Sequence, residues 1–393
     1  MIRVREFDPG TDRAGAEAVE RMCEVGPSGT MSLFTDLLGD PVCRVRHSPA
    51  FLMLVAETVD NNEIVGLVRG CIKTVTCGKK MSRDGPRSYS PIYTKVAYIL
   101  GLRVSPFHRR MGIGLKLVTQ MEEWFRENGA EYSYMATDID NEASVRLFTG
   151  RCGYSKFRTP SILVHPVYAH RLPTGRHVSI VRLSPAESEL LYRRKFATTE
   201  FFPSDIDSIL RNPLSLGTFL AVRSDSYRWS GVDDFLSDPP ESWAVTSVWD
   251  SKSVFRLEVK GAGRIRKGLA RASRAVDRVL PWFRIPSVPD LFRPFGFYFL
   301  YGLGGGGPDA VELVRSLCRH AHNMARSGGC GVVVTELASC DPLREGVPHW
   351  KRLSCAEDLW CVRRVADDYS IGEVGDWTKS APGETIFVDP REF

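Results

Sequence analysis

The sequence predicts an α/β protein, a mixed α+β sheet with helices on both faces, laid down in two successive halves. Three observations carry this expectation. Residues 98–118 read YILGLRVSPFHRRMGIGLKLV: an apolar strand, a glycine-bearing turn, then an amphipathic run. Residues 295–318 read FGFYFLYGLGGGGPDAVELVRSLC and repeat that succession. The flanking elements recur in the same order at an offset of roughly 200 residues, which marks an internal repeat. The stretch HRLPTGR places a linker at 171–177, between a first domain at 1–170 and a second, degenerate one at 178–393.

In the first half, residues 2–7 suit a strand, and 11–24 a helix with Ala16, Val19 and Cys23 at helical spacing. FLMLVAET (51–58) and EIVGLVRGCIKTV (63–75) form a hairpin across Asn61-Asn62, followed by a polar loop at 77–92. TKVAYILGLRV (94–104) is the central strand. Leu117, Val118, Met121, Trp124 and Phe125 make one helical face, which Asn128-Gly129 stops. EYSYMAT (131–137) is the next strand, Asp140 or Asn141 caps a short helix, and 154–168 supplies the final strands. In the second half, strands fall at 178–183, 217–222, 242–250 and 331–337, with helices at 185–196 and after Pro308.

Composition narrows the function classes. A chain of 393 residues with 43% hydrophobic and 25% charged residues is globular. No apolar run approaches the roughly 20 residues that cross a bilayer, so no membrane is expected. Ten cysteines lie scattered without a C-x-x-C pair, as in reduced proteins of the cytosol or nucleus. His320 and His322, two apart on a helix, cannot share a face, and no metal site is expected. The net charge of +5 is uneven: segment 256–284 holds nine basic residues against Glu258 and Asp277, a local +7.

The turn at 105–115 carries the chemistry. A strand that passes through glycines into a helix start leaves backbone N–H groups unpaired and pointing one way, a cradle for a pyrophosphate. Gly112 and Gly114 let a phosphate approach the main chain. The spacing is neither G-x-G-x-x-G nor G-K-[ST]. Ordinary turn glycines beside solvated arginines are the alternative.

This stretch resembles motif A of the GNAT superfamily of acyl-CoA-dependent N-acyltransferases, [QR]-x-x-G-x-[GA] after a V-x-P strand end. NEASVRLFTGRCGY (141–154) resembles the later segment of that family, with Asn141, Leu147 and Phe148 in register, Ser144 in the alanine slot and one extra residue before Gly153-Tyr154. The opening MIRVREFDP and the stretch PHWKRLSCAEDLWCVRRV extend the likeness to the plant hookless-type N-acetyltransferases over nearly the whole chain. The resemblance implies acetyl-CoA as co-substrate. It implies that backbone groups of Arg109, Arg110, Met111, Gly112, Ile113, Gly114 and Leu115 hold its pyrophosphate, and that Leu102, Arg103 and Val104 pair with its pantetheine arm. Asn141, Ser144 and Phe148 are placed at the cofactor from the last helix. It further implies an amine acceptor, a histone or other protein lysine foremost, and a nuclear regulator of hormone-responsive growth.

Acyl transfer needs a neutral amine, and a lysine of pKa about 10.4 is only about one part in a thousand deprotonated near pH 7.4. Where relatives carry a base glutamate this chain has Tyr98, and where many carry an acid tyrosine it has Phe148. Asp138 and Asp140, at the end of the 131–137 strand, are substitute candidates beside Tyr98; helix capping or a solvated turn is their alternative. A non-catalytic acyl-CoA-binding regulatory protein is therefore the second functional expectation. In the second half the glycines 302 and 304–307 lack flanking arginines and read as a structural turn. Residues 264–280 suit an amphipathic helix with Ile265, Leu269, Ala272, Val276 and Leu280 on one side. Its basic face suits an acidic protein partner or solvent. Nucleic acid is disfavoured, since no aromatics interleave for base stacking.

Overall fold

The computed structural model describes residues 1–25, 31–82, 89–366 and 375–393. The first half runs β1 (Ile2–Glu6), α1 (Arg13–Met22), β2 (Ser32–Asp36), β3 (Ala50–Thr58), β4 (Ile64–Ser82), β5 (Tyr89–Val104), α2 (Ile113–Glu127), β6 (Tyr132–Asp138), α3 (Glu142–Gly150), β7 (Ser155–Arg158) and β8 (Ser161–Pro166). The second runs β9 (Val178–Leu183), α4 (Pro185–Lys195), α5 (Ile206–Leu210), β10 (Ser215–Arg223), α6 (Val232–Ser237), β11 (Trp243–Asp250), β12 (Arg256–Lys260), α7 (Arg264–Val279), β13 (Phe297–Gly306), α8 (Ala310–Ser327), β14 (Val332–Leu337) and β15 (Asp358–Arg364). The expected elements form close to their expected bounds. Of the polar loop expected at 77–92, residues 77–82 and 89–92 are strand, because β4 and β5 pair as far as Ser82↔Tyr89; residues 83–88 lie outside the described residues.

Two large sheets result and repeat one plan, beside a two-stranded sheet of β2 and β12. The first has the order β1-β3-β4-β5-β6-β15-β7, the second β9-β10-β11-β13-β14-β8. Pairing is antiparallel except at β5–β6 and β13–β14, the two places where a helix, α2 or α8, carries the chain across. Each sheet takes one strand from the other half. β8 belongs to the first half in sequence yet pairs with β14, while β15 of the second half lies between β6 and β7. Residues 161–166, expected among the final strands of the first sheet, therefore belong to the second, and a cut at 171–177 severs both sheets. The physical reason lies in β15: Leu359 and Cys361 fill the core under α2, and Trp360 and Val362 the core between the sheets, so both of its faces are used.

α2 and α3 cover one face of the first sheet, and α1 packs on the other. α8 covers the outer face of the second sheet. The inner faces share one aromatic-rich core, with Tyr98 and Tyr134 from the first sheet and Phe297 and Phe299 from the second. The same alternation that turns Ile99 and Met135 toward α2 turns Tyr98 and Tyr134 inward.

Candidate functional site

The turn from β5 into α2 holds its backbone open. One 3-10 turn (Pro106–His108) follows the strand, Arg110 adopts φ 63° and Gly112 φ 77°. The backbone N–H groups of residues 109–115 find no acceptor among the described residues, and the helix has no side-chain cap. Arg109, Arg110, Met111 and Gly112 are exposed, and a Cβ built on Gly112 meets nothing within 4 Å. Free amides, the positive end of a helix dipole and two exposed arginines form an anion cradle. Ile113 contributes its amide alone, since its side chain is buried under the sheet. Gly114 works differently: a Cβ there would stand 3.3 Å from Leu147 on α3 and 3.9 Å from Leu102 and Val104. The two sequence motifs meet at that point.

Beside the cradle the first sheet splays. β5 pairs with β6 only from Val96↔Tyr132 to Ile99↔Met135. The register against β4 then slips between Leu67 and Arg69, where Gly101 adopts φ 61°. The space over Gly101 is taken by Arg69, fully buried and held by the Pro41 carbonyl at 2.6 Å. Ser105 donates its amide to Val65, so by alternation the peptide groups of Leu102 and Val104 face the gap. Arg103 reaches Glu20 on α1 at 3.6 Å while its Nη1 donates to the Leu102 carbonyl at 3.3 Å, so its guanidinium stays beside the gap-facing peptide groups.

The later motif packs over the far side of the gap. Asn141 caps α3 by accepting the Ser144 amide at 3.3 Å, which joins the two candidate residues to each other. Phe148 points into the core, 1% exposed, with its ring edge-on to Tyr154 at 5.2 Å, so it supports α3 instead of lining the gap. Asp140 is exposed in the turn before α3, the solvated alternative weighed for it. Asp138 lies half-buried across the β6–β15 ladder from Asp358, and accepts the Asp140 amide at 2.9 Å. Burial and the neighbouring Asp138 push the Asp358 carboxyl up to about 7.

Tyr98 occupies the opposite face from α2, stacked on Tyr134 with ring centroids 4.6 Å apart. Burial raises both phenols well above their usual range, so each keeps its proton at neutral pH. A carboxylate reaches this face from the other end of the sequence. Glu392 accepts the Tyr134 hydroxyl at 2.5 Å and pairs with Lys73 on β4 at 2.7 Å. Burial raises its carboxyl above the ordinary range despite the nearby Lys73 cation. Asp389 and Arg391 pair with each other at 2.7 Å, and Arg391 reaches Asp205 at 2.6 Å. Arg391 holds the Asp389 carboxyl well below the carboxylate range. Glu392 carried no motif signal, because nothing local shows that residues 384–393 run between the sheets.

Sequence comparison decides the family. A model of the acetyltransferase (GNAT) family matches residues 20–154. "Probable N-acetyltransferase HLS1" of Arabidopsis thaliana is 63% identical, with the alignment covering 100% of both chains. The chain belongs to the GNAT acetyltransferase family. "Acetyl transferase GW6a" of Oryza sativa subsp. japonica is 41% identical over 100% of this chain and 98% of its own. Among solved structures, Saccharomyces cerevisiae N-myristoyltransferase with bound myristoyl-CoA shares the fold at TM-score 0.55 and 8% identity, covering 92% of this chain and 79% of that one. As a family member the protein is an N-acetyltransferase that uses acyl-CoA, and the open amides at the α2 start fit that co-substrate.

The second half of this acetyltransferase keeps the splay and loses the cradle. β13 pairs with β14 only from Phe297↔Val332 to Leu300↔Thr335, and Gly302 (φ 59°) takes the place of Gly101. The helix start is closed by protein. Asp309 donates its amide to the Ser242 hydroxyl at 3.1 Å, Ala310 to the Gly307 carbonyl at 3.2 Å, and a Cβ on Gly304 would strike Phe196. These glycines make room for neighbouring protein, not for a phosphate.

Proposed function

We propose that the chain transfers an acetyl group from acetyl-CoA to a primary amine, a protein lysine foremost, and that its first half alone holds the co-substrate. The row of acceptor-free amides at residues 109–115, opening beside the β5–β6 gap, carries this reading. The amides and Arg109 and Arg110 bind the pyrophosphate; Leu102 and Val104 align the pantetheine arm as an added strand would. Asn141 and Ser144 fix the α3 start against that arm.

The amine must lose a proton and the departing thiolate must gain one. Tyr98, kept protonated by burial, is suited to donate a hydrogen bond to the departing thiolate, which takes its proton from solvent. Glu392, a buried carboxylate on the same face, is suited to accept, a general-base contribution of roughly 10²–10⁴. Asp138 and Asp140 lie at the end of β6; we give Asp138 a supporting place beside Asp358 and Asp140 none in catalysis.

A second reading, an acyl-CoA-responsive binding protein without turnover, is favoured by the full burial of Phe148 and the engagement of Glu392 with Lys73. CoA release measured over a panel of amines and lysine peptides separates the two. Turnover abolished by Gly112→Glu supports transfer. CoA binding with no release on any acceptor supports the second reading.

A further inference from the structure

α7 sits on the protein the wrong way round for an amphipathic helix. Its polar side is the docked side. Asp277, fully buried, accepts the Ala169 amide at 2.7 Å, bonds His170 Nδ1 at 2.6 Å and accepts the Ser287 hydroxyl. Ser273 accepts the Val288 amide at 3.2 Å, and Arg274 donates to the Val167 carbonyl. The apolar side faces solvent: Ile265 is 80% exposed, Leu269 66% and Val279 69%. Beyond the helix end, Trp282 and Phe283 extend this surface at 67% and 64% exposure. An apolar surface of this kind, rimmed by charge, marks an interaction site.

The spacing identifies the shape of the occupant. Ile265, Leu269, Ala272, Val276 and Val279 follow one another at intervals of four, three, four and three residues, the a/d seam of a coiled coil. Gly268 and Ala275 lie beside that seam, exposed, where small residues let another helix backbone come close. A helix that lies in a bilayer surface presents a broader apolar face than this two-in-seven stripe. The charge identifies its chemistry. Arg264, Arg271 and Arg278 stand seven apart in an exposed row along one rim, and the only acidic residue of the helix, Asp277, is buried. Pairing with a second copy would bring like charges together.

We propose that α7 and the Trp282-Phe283 corner form a docking surface for an amphipathic helix of another protein, apolar at its a/d positions and acidic along its flank. The aromatic corner supplies the anchors typical of interface centres. This surface is separate from the acetyl-CoA site, and binding here recruits the acetyltransferase to a partner without touching the cradle.

The test uses the full chain and two synthetic helical peptides with leucine at a and d, one flanked by glutamate and one by lysine, in fluorescence anisotropy at two salt concentrations. The glutamate peptide is expected to bind at least tenfold tighter than the lysine peptide, with affinity falling as salt rises. Leu269→Ser with Val276→Ser, at exposed positions, abolishes binding and leaves the melting temperature and CoA affinity unchanged. Arg264→Glu/Arg271→Glu/Arg278→Glu reverses the preference toward the lysine peptide. Equal binding of both peptides overturns the proposal, as does binding of neither. It fails equally if phosphatidylserine vesicles bind and the glutamate peptide does not, or if the patch drives self-association abolished by the serine variant.

Discussion

Replacing Gly112 by alanine tests the cradle with one methyl group. The residue adopts φ 77°, a conformation that costs an L-residue about 1–2 kcal/mol, so a stability loss of about 1 kcal/mol is expected. The methyl has protein-free space, since nothing lies within 4 Å of it, and it projects where a phosphate oxygen would meet the backbone. A hydrogen bond to a charged group contributes about 1.5–3 kcal/mol, so loss of two amide–phosphate bonds weakens CoA by about 10²–10⁴-fold. Gly329 is the matched control: its φ is 73°, its Cβ position is equally empty, and it lies in the second half. Gly329→Ala should lose similar stability in a urea titration and bind CoA normally by calorimetry. If Gly112→Ala binds CoA as tightly as the unaltered chain, the backbone of this turn does not hold the diphosphate.

Other perturbations reach other parts of the argument. Glu392→Gln leaves the buried Lys73 with only the more distant Asp389, at 3.5 Å, and should cost about 3–5 kcal/mol in denaturant unfolding. Adding Lys73→Met should recover part of that loss; a double variant less stable than Glu392→Gln alone refutes the pairing. Asp358 is pushed up to about 7 from 3.8, so the folded chain keeps a proton that the unfolded chain has released across that window. Stability should therefore fall as pH rises from about 4 to about 7, and Asp358→Asn should flatten that slope in chemical melts. Tyr98→Phe should retain CoA binding while CoA release slows by roughly 10²–10³-fold in single-turnover assays, and an unchanged rate removes Tyr98 from stabilising the thiolate. Residues 1–170 expressed alone should show no cooperative melt, because the first sheet lacks β15; a sharp transition there would show that β15 is dispensable.

Local chemistry made much of the fold legible. The strand–turn–helix at 98–118 announces itself through periodicity and glycine, and Asn128-Gly129 and Asn141 mark helix ends as their side chains and backbone freedom require. The cradle residues were readable for the same reason: an anion site made of main chain needs a short, contiguous signature. β15 and Glu392 were not, because what places them is pairing with segments far away in sequence. DLWCVRR shows apolar alternation, but alternation does not say which sheet a strand joins. The α7 stripe was legible as amphipathic, yet periodicity cannot tell which side faces the protein; buried Asp277 reverses the usual assignment.

The exchange of β8 and β15 also orders events during synthesis. The ribosome delivers residues 161–166 long before 332–337 exist to receive them, and β6 and β7 wait for 358–364. Until then the nascent first half carries two open edges and a gap that another chain's strand could fill, a hazard for aggregation. Neither half can be finished before the other, so a premature stop upstream of β15 spoils the half that carries the cradle although it removes none of the cradle itself.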